Sequence, residues 1–280
     1  MKITLNMKGK IAILIVSHNN PELTDSLCES IVKRTCGVDY DLHVIETGSN
    51  LQKLSKYVTL WVKDGVRMTR GFNLLKEYAD FTAKMKGYEY DAYHLFVNDA
   101  KFIDEQDMTS ILWEEMKANE DCGQINPFQV NIPPAHCRQN RMKLSGARKE
   151  SFSEIICPMI RASAWKTIPN LLDNRFFYGW GLDYDVPHQL HTNNWRLYIS
   201  DTVGVFHQAF TSYREREKTE EKMEVGQFVN EARNNMNNGF IAKYGSNWRT
   251  VIHDSVPQDV SKESLYMWLS LNDGFKIETK

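Results

Sequence analysis

The apolar run Ile11-Ala12-Ile13-Leu14-Ile15-Val16, followed by the polar loop Ser17-His18-Asn19-Asn20-Pro21, decides the fold. Six consecutive apolar residues are typical of a strand that is buried on both faces, as in a parallel sheet. Pro21 suits the first turn of a helix, and apolar residues then recur at helical spacing over about residues 22–34. A buried strand that leads into an amphipathic helix predicts an α/β protein.

The alternation of strand and helix continues through the first half of the chain. The sequence predicts strands at 42–45, 59–62 and 93–97, and helices at 72–86 and 110–118. This order indicates a mostly parallel sheet with helices on both faces, in which ligands bind at the carboxyl ends of the strands. Polar residues follow three of these strands, namely Ser17-His18-Asn19, Glu46 and Asn98-Asp99.

The second half of the chain is less regular. Prolines in Asn126-Pro127-Phe128 and Ile132-Pro133-Pro134 are expected to break regular structure. Further elements are predicted as strands at 153–160, 195–199 and 203–207, and as helices at 162–168, from about 212 to 239 or 243, and at 261–271. We therefore expect an α/β domain over residues 1–210 and a C-terminal helical extension over residues 211–280.

The composition limits the class of protein. The 280 residues are 42% hydrophobic and 25% charged, an ordinary globular balance, and the net charge of -2 gives no overall affinity for polyanions. Five cysteines without a C-x-x-C pair favour reduced thiols and a cytoplasmic location. The apolar run at residues 11–16 is too short to cross a bilayer, so we predict neither a membrane span nor a signal peptide.

The stretch Phe176-Phe177-Tyr178-Gly179-Trp180-Gly181-Leu182-Asp183-Tyr184-Asp185 carries the clearest functional pattern. Its glycines allow a sharp turn or a close approach to a ligand, and its aromatic residues can form a wall for a sugar or a base. A carboxylate held against such a wall is a candidate general base, because partial desolvation raises its pKa toward neutrality. The alternative interpretation is a glycine-rich turn before a solvated helix.

Five pieces of sequence form a recognisable series. The pieces are Ile13-Leu14-Ile15-Val16-Ser17-His18-Asn19, Val44-Ile45-Glu46-Thr47-Gly48-Ser49, Arg70-Gly71-Phe72-Asn73, His94-Leu95-Phe96-Val97-Asn98-Asp99-Ala100-Lys101-Phe102, and Gly179-Trp180-Gly181-Leu182-Asp183-Tyr184-Asp185 with the later His207. In this order they resemble the motifs of the GT-A fold glycosyltransferases. The pattern is most similar to family 2 and its galactosyltransferase-like relatives, and it covers roughly residues 10–208. The resemblance implies a Rossmann-like, mostly parallel mixed sheet flanked by helices.

The resemblance also implies a nucleotide-sugar donor. A carboxylate at Glu46 suits the imide N–H of uracil, so a UDP-sugar is favoured, although Glu46 alone would also fit a solvated acid at a strand end. Arg70 would help to neutralise the diphosphate, its alternative being a surface charge. The residues assigned to the donor nucleotide are Ser17, His18, Asn19, Glu46, Arg70, Asn98 and Asp99.

A divalent cation, Mn²⁺ or Mg²⁺, would bind the donor diphosphate in such an enzyme. The resemblance assigns Asp99 and His207 as its ligands. Val97 stands where the family's metal motif has its first carboxylate, and His207 alone would also fit a core histidine.

The same resemblance assigns the chemistry to the Gly179–Asp185 segment. Asp183 is the expected base of an inverting transfer, and Asp185 an orienting or helix-capping group, with the reverse assignment still open, as is retention of configuration. Leu182 stands where the family usually has an acid. Tyr178, Trp180 and Gly181 would form the wall for the acceptor or donor sugar, although both aromatic residues also fit plain packing.

Two classes of acceptor remain open. One is a saccharide or lipid-linked saccharide, and the other is a hydroxymethylated DNA base, as in DNA-modifying enzymes of bacteriophages. Arg138, Arg141 and Lys143 belong to a basic stretch that could contact a polyanion, or that could be a solvated loop. A duplex base would have to be flipped into the pocket.

Two other functional classes share this fold class. A catalytically inactive GT-A module that binds a nucleotide or glycan is favoured by Val97 and Leu182. A dinucleotide-dependent oxidoreductase needs a Gly-x-Gly-x-x-Gly turn after the first strand, and residues 17–21 are not one.

Overall fold

The computed structural model describes residues 9–130, 141–143, 145–207 and 224–273. The strands in these residues are β1 (Lys10–Ser17), β2 (Asp39–Thr47), β3 (Leu60–Val62), β4 (Ala92–Val97), β5 (Ala100–Phe102), β6 (Cys122–Val130), β7 (Ala147–Glu150), β8 (Met159–Arg161) and β9 (Arg196–His207). The helices are α1 (Pro21–Arg34), α2 (Arg67–Met85), α3 (Met108–Ala118), α4 (Ala162–Thr167), α5 (Leu182–Thr192), α6 (Val225–Tyr244), α7 (Trp248–Asp254) and α8 (Glu263–Asp273).

Within the described residues the strands form one mixed sheet in the order β3-β2-β1-β4-β8-β6-β9-β5, with β7 paired to β9. The first four strands are parallel, as the alternation of strand and helix predicted. Ser17 pairs with Glu46, and Val16 with Val97. The polar residues that follow β1, β2 and β4 therefore lie at one edge of the sheet.

The other half of the sheet brings β9 to the same edge. β6 and β9 are parallel, whereas β5 and β7 run antiparallel to β9. Ala100 pairs with His207 at the end of β9. This register places His207 beside Asp99, although 108 positions separate the two residues in the sequence.

A buried apolar cluster covers each face of the sheet. One cluster contains residues of α2, α4 and α5, and the other contains residues of α1 and α3. Phe240 of α6, Trp248 of α7 and Leu269 of α8 belong to the first cluster. The C-terminal helices thus bury their apolar residues against the α/β part, and the boundary at residue 210 stays a prediction.

Two predictions about the second half were wrong in detail. β6 runs through Asn126 and Pro127, where we expected a break, because a register shift between Pro127 and Phe128 accommodates the missing N–H of the proline. Of the strand predicted at 153–160, the structure contains only its end, in β8. The preceding residues still accept hydrogen bonds from β4, from Val97 N to Ile156 O (3.1 Å) and from Leu95 N to Pro158 O (2.9 Å).

Other features agree with the sequence or extend it. The strands predicted at 195–199 and 203–207 are the two ends of β9, and α2 begins five residues before the predicted start. The cysteines that the structure describes, Cys28, Cys36, Cys122 and Cys157, are free thiols, whereas Cys137 lies outside the described residues. In the described part of the chain, no helix is long and apolar enough to cross a membrane.

Candidate active site

The loops after β1 and β2 are joined by hydrogen bonds. The Nδ1 of His18 donates to the carbonyl oxygen of Thr47 (2.5 Å). The backbone N–H of Asn19 donates to Ser49 Oγ (3.0 Å), and its side-chain Oδ1 accepts from Asn50 N (2.9 Å). Asn19 has a positive φ of 50°, a conformation that asparagine tolerates better than most residues. The two loops therefore form one polar surface at the edge of the sheet.

Glu46 and Ser17 lie beneath this surface. Glu46 is fully buried, its Oε2 accepts from Ser49 Oγ (2.6 Å), and its Oε1 accepts from Ser55 N (3.2 Å). The Ser17 hydroxyl lies 2.7 Å from Thr24 Oγ1 of α1. Glu46 thus holds the 49–55 loop against the end of β2, and Ser17 ties α1 to the end of β1.

The start of α2 crosses the end of β1 next to this surface. Arg70 is exposed in the first turn of α2. A Cβ on Gly71 would lie 3.0 Å from Val16 Cγ1, so glycine allows the close approach of helix and strand. Asn73 Nδ2 donates to Leu172 O (2.8 Å) and holds α2 to the segment before α5.

The ends of β4 and β9 bring a carboxylate and an imidazole together. Asp99 is buried, and its Oδ1 lies 3.5 Å from His207 Nε2. Burial alone would lower the pKa of His207, but the hydrogen bond to Asp99 and the charges of Glu154 and Asp183 raise it above its ordinary value. Asn98 Nδ2 lies 3.4 Å from the hydroxyl of Thr24 in α1.

Asp183 lies in the first turn of α5, where the turn at Gly181 directs it toward the same edge of the sheet. Its Oδ1 accepts a hydrogen bond from Ile155 N (2.7 Å), and the residue as a whole is partly exposed. Burial, together with the nearby charge of Glu154, raises the pKa of Asp183 to about 8. A carboxyl group with a pKa in this range can accept or donate a proton near neutral pH.

Glu154 is a further residue of the candidate site, and no sequence motif indicated it. It lies in the segment between β7 and β8, and Gln129 forms a hydrogen bond with its carboxyl group. Asn126 Nδ2 donates to the backbone carbonyl of Glu154 (2.8 Å), and burial raises the pKa of its carboxyl group. The signal available in the sequence was a single acid in the otherwise uncharged stretch 151–160.

Asp99, Glu154, Asp183 and His207 form what we call the carboxylate–histidine cluster. His207 interacts electrostatically with each of the three acids, and Glu154 with Asp183. The four residues come from the end of β4, the 151–158 segment, the start of α5 and the end of β9. No two of them are close in sequence, so the fold alone assembles the cluster.

Asp185 has different surroundings from Asp183. It is fully buried, and its carboxylate accepts hydrogen bonds from Lys243 Nζ (2.9 and 2.8 Å) and Tyr244 Oη (2.6 Å). Gln189 Nε2 also donates to it (2.7 Å). Asp185 therefore anchors α5 to the end of α6, on a side of the helix that does not face Asp183.

The glycines before α5 adopt conformations that favour glycine. Gly179 and Gly181 have φ values of 90° and 97°. A Cβ on Gly181 would lie 2.7 Å from Phe176 Cδ1, and one on Gly179 would lie 2.7 Å from Met68 Sδ. The turn that directs Asp183 therefore depends on both glycines.

The two aromatic residues of the turn pack against neighbouring helices. The Tyr178 hydroxyl donates to Glu231 Oε2 (2.8 Å), and the guanidinium of Arg67 lies 5.3 Å from the centre of its ring. Trp180 is partly buried against the first apolar cluster.

Residues 103–251 match the model of a family described as "Protein of unknown function (DUF707)". The chain belongs to this family. The match extends from residues before α3 to the middle of α7, and it includes Glu154, Asp183 and His207 of the carboxylate–histidine cluster. No curated protein matches this DUF707 chain significantly.

Two solved structures resemble the DUF707 chain in fold. A crystal structure of GalNAc-T7 with UDP, GalNAc and Mn²⁺ has a TM-score of 0.54 at 11% identity, covering 71% of this chain and 43% of that chain. The crystal structure of S. aureus TarS 1-349 has a TM-score of 0.50 at 11% identity, covering 97% of this chain and 75% of that chain. The DUF707 chain thus spans less than half the length of GalNAc-T7, and it has the GT-A fold of these glycosyltransferases.

The donor atoms of Asp99 and His207 suit a divalent cation in this DUF707 protein. Carboxylate oxygen suits Mg²⁺ and Mn²⁺, and imidazole nitrogen is a common ligand of transition metals. Among the described residues, no group of three or more His, Cys, Asp and Glu side chains is arranged to hold a metal ion. The described residues therefore offer this pair of side chains, without a third protein ligand, to such an ion.

The basic residues assigned to a polyanion are only partly described in the DUF707 chain. Arg138 lies outside the described residues. Arg141 Nε donates to Lys143 O (3.0 Å), and its guanidinium lies 5.7 Å from the centre of the Phe128 ring. Lys143 is exposed.

Proposed function

We propose that this protein is a glycosyltransferase that moves a sugar from a nucleotide-sugar, with a UDP-sugar favoured, to an acceptor hydroxyl with inversion. The observation that carries the proposal is the carboxylate–histidine cluster at the carboxyl edge of a GT-A sheet. Ligands bind at this edge in open α/β sheets, and groups with shifted pKa values concentrate at functional sites.

The donor nucleotide is assigned to the polar surface after β1 and β2. His18 and Asn19 hold this surface together, and Glu46 fixes the loop beneath it. Ser17 and Asn98 support it through α1, and Arg70 is exposed beside it. The UDP in the GalNAc-T7 structure supports this choice of donor.

Asp99 and His207 are assigned as ligands of Mn²⁺ or Mg²⁺. The cation would neutralise the negative charge of the donor diphosphate. The Mn²⁺ in the GalNAc-T7 structure supports this assignment, as does the proximity of the carboxylate and the imidazole.

Asp183 is assigned as the base. Its carboxylate takes the proton from the acceptor hydroxyl, while the oxygen forms a bond to the anomeric carbon. The bond from that carbon to the diphosphate breaks, and the nucleoside diphosphate leaves with the electron pair. The raised pKa and the partial exposure of Asp183 support this role.

Asp185 is assigned as a positioning residue, because its carboxylate is held by Lys243 and Tyr244. Trp180 and Tyr178 remain assigned to the sugar wall, with Gly181 providing the turn between the wall and Asp183.

A thermal-shift assay with UDP tests the donor site, since a ligand that binds only the folded state raises its stability. We expect UDP with Mn²⁺ to raise the Tm by several degrees, and UDP with EDTA to raise it much less.

Hydrolysis of UDP-glucose and UDP-GalNAc then tests catalysis. Asp183→Asn is the inactive variant, and Glu114→Gln, which changes an exposed acid on α3, is its matched control. Absence of both UDP binding and hydrolysis would contradict the proposal.

A catalytically inactive GT-A module is the second candidate. It is favoured by Leu182, which is fully buried in the core at the family's acidic position, and by Val97. UDP binding without hydrolysis or transfer by the parent protein would support this candidate.

A saccharide is the favoured acceptor. The crystal structure of GalNAc-T7, which contains the sugar GalNAc, supports this choice. The exposed Lys143 and its neighbour Arg141 keep a hydroxymethylated DNA base as the alternative. Retention on DNA-cellulose at low salt, lost on changing Arg138, Arg141 and Lys143 to Gln, would favour DNA, and no retention would exclude it.

A further inference from the structure

Glu154 has no role in the reaction described above, although it lies beside the assigned base. Ile155 N, the next backbone group after Glu154, donates the 2.7 Å hydrogen bond to Asp183 Oδ1. One short piece of chain therefore both holds Asp183 and places a second carboxyl group next to it.

The placement of Glu154 is fixed from two sides by β6. Asn126 binds its backbone carbonyl, and Gln129 binds its carboxyl group. Both are buried polar residues of a central strand, where apolar side chains would stabilise the fold at lower cost. The chain thus uses two buried amides to hold an acid among other acids, and such an arrangement favours a function over a structural role.

Position 182, next to Asp183, is where the glycosyltransferases that the chain resembles usually have an acidic residue. This chain has a leucine there. Leu182 is fully buried and belongs to the first apolar cluster. Replacing it with a carboxylate would place an unpaired charge in the core. Glu154 reaches the cluster from a different element, the segment between β7 and β8, and the residue is only partly buried.

We propose that Glu154 is a second catalytic carboxylate, which binds the acceptor through a hydroxyl group adjacent to the one that Asp183 deprotonates. This inference rests on the proposed glycosyltransferase function. It also defines the acceptor as a molecule with neighbouring hydroxyl groups, since two carboxylates that lie together can each accept a hydrogen bond from one hydroxyl of a diol.

The roles of the two acids differ in the reaction. Asp183 receives the proton of the attacking hydroxyl, whose oxygen replaces the diphosphate at the anomeric carbon. Glu154 keeps its protonation state and accepts a hydrogen bond from the adjacent hydroxyl, which orients the acceptor for attack.

Comparing transfer with hydrolysis tests the role of Glu154, because water has no adjacent hydroxyl. The variants are Glu154→Gln, Asp183→Asn and the control Glu114→Gln, assayed with UDP-glucose and UDP-GalNAc and a panel of methyl glycosides as acceptors. For Glu154→Gln we expect kcat/KM for the glycoside to fall about 100-fold, a loss on the scale of a hydrogen bond to a charged group. Hydrolysis should fall much less than transfer does, whereas Asp183→Asn should lower both rates.

Three results would overturn the inference while leaving the proposed function standing. The first is a Glu154→Gln protein that transfers to glycosides as the parent does. The second is an equal loss of transfer and hydrolysis with a lowered Tm, which indicates a structural role. The third is a parent protein that hydrolyses UDP-sugars but uses no glycoside. A parent protein that neither binds UDP nor hydrolyses UDP-sugars would overturn the proposed function itself.

Discussion

The buried carboxyl group of Asp183, which we assign as the base, has a cost for the stability of the protein. Its pKa is raised from 3.8 to about 8, so between these values the folded protein binds a proton that the unfolded chain releases. The free energy of unfolding therefore falls as the pH rises from about 4 to about 8. The residue that we assign as the base lowers the stability of the protein at the pH where it would act.

Asp183→Asn should therefore stabilise the protein, because the amide cannot ionise. We expect a higher Tm than that of the parent at pH 8 in EDTA, and a smaller difference at pH 5. Differential scanning calorimetry at both values measures the effect. Asp64→Asn, at an exposed loop position, is the control and should leave the Tm unchanged. A variant that is less stable than the parent at pH 8 would contradict the pKa assignment.

The pH dependence of catalysis should follow the same carboxyl group. We expect kcat/KM for UDP-sugar hydrolysis to rise with pH up to about 8, because only the ionised form of Asp183 accepts a proton. Glu154 of the 151–158 segment and His207 of β9 face this group, and their charges act on its pKa in opposite directions. A rate that is flat from pH 6 to pH 8.5 would argue against Asp183 as the base.

Two hydrogen-bonded aspartates fix the position of helix α5. Asp183 accepts a hydrogen bond from Ile155 N, and Asp185 accepts one from Lys243 at the end of α6. Lys243 Nζ also lies 3.1 Å from Asp173 Oδ2, so one ammonium group compensates two carboxylates. Removal of one partner from a buried ion pair leaves an uncompensated charge.

Lys243→Met should lower the free energy of unfolding by about 3–5 kcal/mol for this reason. The double variant Asp185→Asn/Lys243→Met should be more stable than Lys243→Met alone, because it leaves no buried carboxylate at position 185. Guanidinium denaturation of both single variants and the double variant measures the coupling, with Lys84→Met, an exposed position on α2, as the control. Equal stability of the double variant and Lys243→Met would show that the pair is not coupled.

Two glycines allow a matched test of the turn before α5. Gly181→Ala should destabilise the protein by about 1–2 kcal/mol from its positive φ alone, and further through contact with Phe176. Gly226→Ala in α6 has open space around the new methyl group and should stabilise the protein by about 1 kcal/mol. Chemical denaturation distinguishes the two, and a stabilising Gly181→Ala would contradict the described turn.

The sequence predicted those elements whose residues meet one physical requirement, such as the burial of a strand on both faces. β1, β2 and β4 are buried apolar runs, and their order along the chain was sufficient to predict the parallel half of the sheet. β6 was missed because its buried residues include Gln124, Asn126, Pro127 and Gln129, which resemble a loop. Asn126 and Gln129 form hydrogen bonds with Glu154, so the polar residues that make β6 look like a loop belong to the candidate site.

The site could be predicted only where a motif is local. Asp183, Asp185 and the two glycines lie within seven residues, and the Gly-Trp-Gly pattern drew attention to them. Glu154 has no local motif, because its partners are 25 or more positions away on β6, α5 and β9. Its role depends on contacts that only the folded chain makes.

At the scale of the whole molecule, the C-terminal helices are part of the main core. Trp248, Leu265 and Leu269 are almost fully buried in the same cluster as residues of β1 and α2. Glu150 of β7 accepts a hydrogen bond from Ser264 Oγ of α8 (2.9 Å). That residues 211–280 form a separate extension stays a prediction. The apolar residues of this region pack in the same core as those of β1 and α2.

A chain that ends at residue 210 should therefore fail to fold cooperatively, because it exposes the apolar surface that α6, α7 and α8 cover. We expect an aggregated product, or one without a sharp thermal transition by circular dichroism. The full chain, purified in parallel, is the control. A truncated protein that melts cooperatively would support residues 1–210 as an independent domain.

The register shift in β9 has a consequence for how such a site can change during evolution. Ser200 of β9 pairs with Pro127 of β6, and Gly204 pairs with the next residue, Phe128. Residues 201–203 therefore have no paired residue on β6. Because successive side chains of a strand point to opposite faces, the length of this excursion sets the face on which His207 lies. Insertion or deletion of a single codon there can turn the imidazole away from Asp99 without altering any residue of the site. A change in loop length can thus remove the histidine that we assign as a ligand, and a comparison of aligned site residues would not detect it.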